Sequence, residues 1–136
     1  MGLKFTDTLL LLFTASLFSL SAQTDEKSQE LRTLMRTWKY AKCKILQITY
    51  PPEKNEAEDL LTLNKDGSFF QIDNGQQREG IWEYLEETKE LLLHLSNSGI
   101  IEKLVIETLK NDELILRKSE AWRFDVIIYM KADSYH

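Results

Sequence analysis

From Thr37 onward apolar and polar residues alternate, and clusters of turn-forming residues interrupt the alternation at short, regular intervals: Asn64-Lys65-Asp66-Gly67, Asp73-Asn74-Gly75, Ser96-Asn97-Ser98-Gly99 and Lys110-Asn111-Asp112. A period of two punctuated by tight turns is the signature of an antiparallel all-β meander. It predicts eight strands, Thr37–Thr49, Asp59–Leu63, Ser68–Asp73, Arg78–Tyr84, Glu90–Ser96, Ile100–Leu109, Glu113–Lys118 and Trp122–Lys131. The last alternates most cleanly, with Trp122, Phe124, Val126, Ile128 and Met130 on one face and polar residues opposite, Ile127 excepted. One face is therefore core and the other wet. By the same parity Gly80, Trp82 and Tyr84, then Leu91, Leu93 and Leu95, then Leu114 and Leu116 point inward. In the first strand the inward set switches from Trp38 and Tyr40 to Cys43 and Ile45, which a bulge near Ala41-Lys42 explains.

Ahead of the strands, Leu31, Leu34 and Met35 recur at helical spacing, so Asp25–Arg36 reads as a short amphipathic helix. Eight strands preceded by a helix can close on themselves and so remove the exposed edges of an open sheet. The expected fold is an all-β, eight-stranded antiparallel meander β-barrel with a short N-terminal helix; a sandwich is the competing arrangement. Gly80 lies outside the turns and reads as a place of close strand packing. The segment from Tyr50 to Glu58 contains two prolines and no tight-turn signal, and it is expected to lie across a barrel mouth.

The N-terminus follows a different rule. Lys4 precedes an uncharged run from Thr8 to Thr24, and its apolar part, Leu9–Leu20, is too short to span a bilayer, which takes about 20 apolar residues. It reads as a secretory signal peptide, residues 1–22, cleaved after Ala22, with one domain at 23–136. The mature protein is then exported, periplasmic or extracellular, with no stable membrane anchor. No cysteine follows the apolar run to carry a lipid, and Cys43, flanked at strand spacing by Ala41 and Ile45, is expected to be buried.

Charge and rare residues narrow the function. The 136 residues hold 17 Lys+Arg against 22 Asp+Glu, a net charge of −5. No basic run is present, which argues against nucleic acid and anionic membranes as partners. One cysteine excludes an internal disulfide and a cysteine-based zinc site. His94 stands alone on the face opposite Leu91, Leu93 and Leu95 and reads as a surface residue rather than a metal or haem ligand. Glu53, Glu56, Glu58 and Asp59 lack the order and the glycine of a calcium loop and read as a solvated acidic loop. No Gly-x-Ser-x-Gly elbow or spaced carboxylate pair stands out, so no enzyme, metal or cofactor is expected.

The Trp-led first strand, Leu61–Phe69 (Leu-Thr-Leu-Asn-Lys-Asp-Gly-Ser-Phe), Gly80-Ile81-Trp82 and the Leu104–Leu116 region together resemble the small bacterial exported lipocalin-like domain proteins, over Leu31 to about Met130. Where that family opens with Gly-x-Trp, this chain has Arg36 before Thr37-Trp38. The resemblance implies a small exported barrel, often with a lumen for an apolar molecule, and no enzyme activity. The expected ligand-lining residues are Trp38, Tyr40, Phe69, Arg78, Trp82, Tyr84, Trp122 and Phe124. Arg78 shares parity with Gly80 and Trp82, and as a buried guanidinium it would meet the carboxylate of a fatty-acid-like ligand. The alternative is a filled barrel whose outer surface binds another envelope protein. Lumen volume separates the two, a connected cavity of about 300 Å³ or more favouring the ligand.

Overall fold

A computed structural model describes residues 29–119 and 124–133. The signal-peptide segment, Trp122, Arg123 and the first residues expected in the helix lie outside the described residues. Of an N-terminal unit, Met1–Leu31, residues 29–31 are described; they are helical, as are residues 32–34 at the start of the second unit, Arg32–His136. The helix therefore ends two residues before the expected Arg36. Among the described residues no helix is long and apolar enough to cross a membrane.

In the second unit the strands are β1 (Thr37–Ile45), β2 (Ile48–Tyr50), β3 (Leu60–Leu63), β4 (Ser68–Asp73), β5 (Gln76–Leu85), β6 (Glu90–Leu95), β7 (Ile101–Leu109), β8 (Glu113–Ser119) and β9 (Asp125–Ala132), with a single 3₁₀ turn at Lys54–Glu56. Each barrel strand pairs antiparallel with its neighbour from β3 to β9, and β1 joins β3 on one edge and β9 on the other. That last ladder, from Trp38 opposite Ala132 to Ile45 opposite Val126, closes an eight-stranded barrel and excludes the sandwich. β2 is an extra strand, paired to the far half of β1 beyond the short β3.

Two features of β1 decide what lies inside. The ladder with β9 skips Ala41, Tyr40 facing Met130 and Lys42 facing Tyr129, so Trp38 and Tyr40 point inward on one side of the bulge and Cys43 and Ile45 on the other, as the sequence pattern predicts. The first strand was expected to run to Thr49; instead it turns back at Leu46-Gln47, both left-handed at φ 50° and 69°. Two left-handed residues in succession make the primed turn that fits the twist of a hairpin. Neither Leu nor Gln favours that backbone, so the composition carried no sign of it. A second bulge, at Glu107, brings Ile106 and Leu109 to the same inner face of β7.

The barrel has two unlike ends. At one sit residues 32–36 and the β3–β4, β5–β6 and β7–β8 turns; at the other sit the β1–β2 hairpin, the 51–59 connection and the turns before β5 and β7. The first end holds the largest buried side chains among the described residues. Leu34, Trp38, Leu63, Phe69, Leu91 and Leu114 are almost wholly buried there, with Trp82 and Tyr84 close behind. The indoles are tied down, Trp38 Nε1 donating to the Leu34 carbonyl at 3.0 Å and Trp82 Nε1 to the Asn64 carbonyl at 2.9 Å, so neither buried N–H is left unpaired. Arg36 lies 5.5 Å over the Trp38 ring and donates to the Asn111 carbonyl, linking the helix end to the β7–β8 turn. A Cβ on Gly80 would overlap the His94 carbonyl oxygen and come within 2.9 Å of Phe69 Cε1; the close packing expected at this glycine is real.

Candidate functional site

At the other end the inward positions change character. Below the apolar layers β4 presents Gln71 and Asp73, β5 presents Arg78, β7 presents Glu102 and β8 presents Lys118, all on the inner face by register. Side chains of this kind do not interlock like Leu and Phe, and the interior stays open. A cavity of about 390 Å³ lies here. Its inner wall is apolar, made by Ile45, Leu104, Leu116, Val126, Ile128 and Met130, and its outer part is polar, made by Glu56, Asp59, Asp73, Asn74, Glu102 and Lys118.

The charges form one network across four strands. The Arg78 guanidinium donates through Nη1 to Asp73 Oδ2 at 2.8 Å and through Nη2 to Glu102 Oε2 at 2.7 Å. The Lys118 ammonium approaches the other Glu102 oxygen at 3.5 Å. Glu102, only 11% exposed, therefore sits between two cations, which is the condition for holding a charge this far from water.

The connection expected across the mouth does sit there. Asp59, 8% exposed, accepts the backbone N–H of Asn74 at 2.9 Å and of Gly75 at 3.0 Å, so one carboxylate binds the connection to the β4–β5 turn. Glu56 caps its own short turn by accepting the Glu53 N–H at 2.9 Å and faces the cavity. The solvated acidic loop predicted here is thus half wrong: Asp59 is buried and Glu56 is part of the wall. Spacing alone could not reveal this, because Asp59 acts on a turn fifteen residues away in the chain.

Tyr40 and Cys43 stand side by side across the β1 bulge, both in the cavity wall. The phenol is held well above its ordinary value, first by burial, then by its hydrogen bond and proximity to the Cys43 thiol, and last by the carboxylates of Glu56 and Asp59. Negative potential thus reaches the cavity interior. Two strands along, on β4, the side-chain carbonyl oxygen of Gln71 is buried with no hydrogen-bond partner among the described residues. An acceptor left so is costly unless something donates to it.

Of the expected lining residues the structure brings Tyr40 into the cavity wall and Arg78 into the network behind it. Trp38, Phe69, Trp82 and Tyr84 belong to the packed end instead. Phe124 was expected to point inward; it precedes β9, is 38% exposed and borders a shallow groove with Leu46 and Ile127. Trp122 lies outside the described residues. His94 is on the outer face, 3.4 Å from Glu83, as a surface residue would be. Among the described residues no three His, Cys, Asp or Glu are grouped to hold a metal ion.

Comparison with models of protein families, with curated proteins and with solved structures gave no match. The cavity and its chemistry carry the functional argument.

Proposed function

We propose that this chain is an exported, lipocalin-like binding protein that holds one small molecule in the open half of its barrel. The observation that carries the reading is the cavity of about 390 Å³, inside the range of about 300–1,000 Å³ usual for small-molecule sites. Its build agrees: an apolar inner wall takes the body of a ligand and a few fixed polar groups orient it. The uncharged N-terminal run supports export, and the closed meander barrel with an N-terminal helix supports the lipocalin-like assignment.

Native mass spectrometry of protein purified after export tests it, before and after incubation with a small-molecule extract of the producing cells. Extra mass that leaves on gentle activation, and that is absent from Ile128→Phe, is the expected result. A bare protein mass under both conditions, or equal adducts on the variant, overturns it.

A second reading, a module that binds an envelope protein, draws on a different observation. Leu46, Ile48, Ile100 and Ile101, all more than half exposed, lie at the open end together with Phe124. Apolar side chains gathered around one end of a barrel suit a protein partner, but they do not account for an interior left open.

A further inference from the structure

Resting on the binding reading above, we propose that the cavity selects an organic cation on an apolar body, such as a protonated primary amine with a short hydrocarbon tail, over a carboxylate of the same shape. The group that would receive an anion is already occupied. Arg78 spends its two terminal nitrogens on Asp73 and Glu102, at 2.8 and 2.7 Å, and the Lys118 ammonium faces Glu102 as well. A fatty-acid head would have to break one of these pairs and leave a carboxylate without its cation.

The sign of the site points the same way. Four carboxylates, Glu56, Asp59, Asp73 and Glu102, line the cavity, against Lys118 in the wall and Arg78 behind it. In the low-dielectric interior such an excess attracts positive charge and repels negative.

Hydrogen-bond accounting adds a third, independent point. Gln71 offers a buried carbonyl oxygen with no donor. An ammonium brings three donors and a carboxylate none. The ammonium therefore answers both the charge and the unmet acceptor, while Ile45, Val126 and Ile128 receive its tail.

Calorimetric titration of the purified protein with octylamine, octanol and octanoate near neutral pH tests the idea. Octylamine is expected to bind at least about tenfold more tightly than octanol, a gap worth about 1.4 kcal/mol, and octanoate more weakly than octanol. Asp73→Asn, which removes one carboxylate and frees one arm of Arg78, should narrow the amine-to-carboxylate preference by about tenfold or more. Gln71→Met should weaken octylamine and leave octanoate, which has no donor, unweakened. Equal affinities for the three probes, or a preference for octanoate, overturn the proposed selectivity while leaving ligand binding standing. Uptake of none of them, with Cys43 alkylated at the same rate whichever probe is present, would instead remove the binding reading itself.

Discussion

Replacing Asp59 by alanine removes the one side chain that fastens the 51–59 connection to the β4–β5 turn. Two backbone N–H groups lose a charged acceptor, those of Asn74 and Gly75. Hydrogen bonds to a charged group contribute about 1.5–3 kcal/mol each. Asn74 and Gly75 are exposed, so water recovers part of the loss, and the expected cost is about 2–4 kcal/mol. Asn74 and Gly75 are also both left-handed, at φ 55° and 76°, and lose a partner that holds that turn in place. Asp59→Asn keeps one neutral acceptor and should cost about half as much. Urea unfolding followed by circular dichroism gives the free energies, and thermal melts should fall by about 4–8 °C for each kcal/mol. The same variants should expose the Cys43 thiol to alkylation faster than wild type, since the connection walls the cavity. An alanine variant within about 0.5 kcal/mol of wild type would refute the reasoning, because a surface substitution free of structural duty behaves that way.

Three further outcomes follow from the packed end, the bulge and the hairpin. Gly80→Ala should cost about 3 kcal/mol or more, or abolish folding, because its Cβ meets the His94 backbone rather than a movable side chain; the yield of folded protein and a urea midpoint measure it. In a spectrophotometric alkaline titration Tyr40 should ionise well above the ordinary value of 10.0, and Tyr40→Phe should remove that component. Since the folded phenol is displaced upward, its contribution to stability is complete below pH 10.0 and is lost as pH rises from there toward the displaced value, so wild type should lose more stability than Tyr40→Phe on that limb. Changing Leu46-Gln47 to Asn-Gly should stabilise the protein by about 1–2 kcal/mol, read from the thermal midpoint, because both positions are left-handed.

How much of this was readable from the chain depends on which interaction sets each feature. The strand pattern and the Ala41 bulge follow from parity, which is local: Trp38 and Tyr40 cannot share a face with Cys43 and Ile45 unless one residue is skipped; closure rests on the β1–β9 ladder between residues far apart in the chain. The hairpin at Leu46-Gln47 was not legible, since its backbone is imposed by pairing with β2 rather than by residue preference. The open half was hidden for a related reason. Aromatic residues at inward positions suggest a lumen wall, yet Trp38 and Trp82 are buried at the end they occupy and pinned there through their N–H groups. The signal for the cavity was instead the run of polar residues at inward parity, Gln71, Asp73, Arg78, Glu102 and Lys118. Parity with Leu116, Phe69 and Leu104 carries that signal for Lys118, for Gln71 and Asp73, and for Glu102, as parity with Gly80 and Trp82 carries it for Arg78.

Those five positions are also the strongest argument that the open half has a use. A barrel of eight strands is narrow enough for side chains to fill, and leucine, isoleucine or phenylalanine at the same positions would have continued the packing that Leu61, Leu93 and Leu116 begin. Only Glu102 of the Asp73–Arg78–Glu102–Lys118 chain is deeply buried, and part-exposed ion pairs add little to stability. The network is self-consistent all the same, each carboxylate held by a cation, and it lines a space in which the Gln71 carbonyl, unmet among the described residues, asks for a donor. The most deeply buried aromatic side chains, Trp38 and Phe69, lie at the end where β1 begins. That division frees the other end to keep polar groups facing inward at a fixed geometry, which is what recognition of a small polar head group needs and what a merely filled barrel would lack.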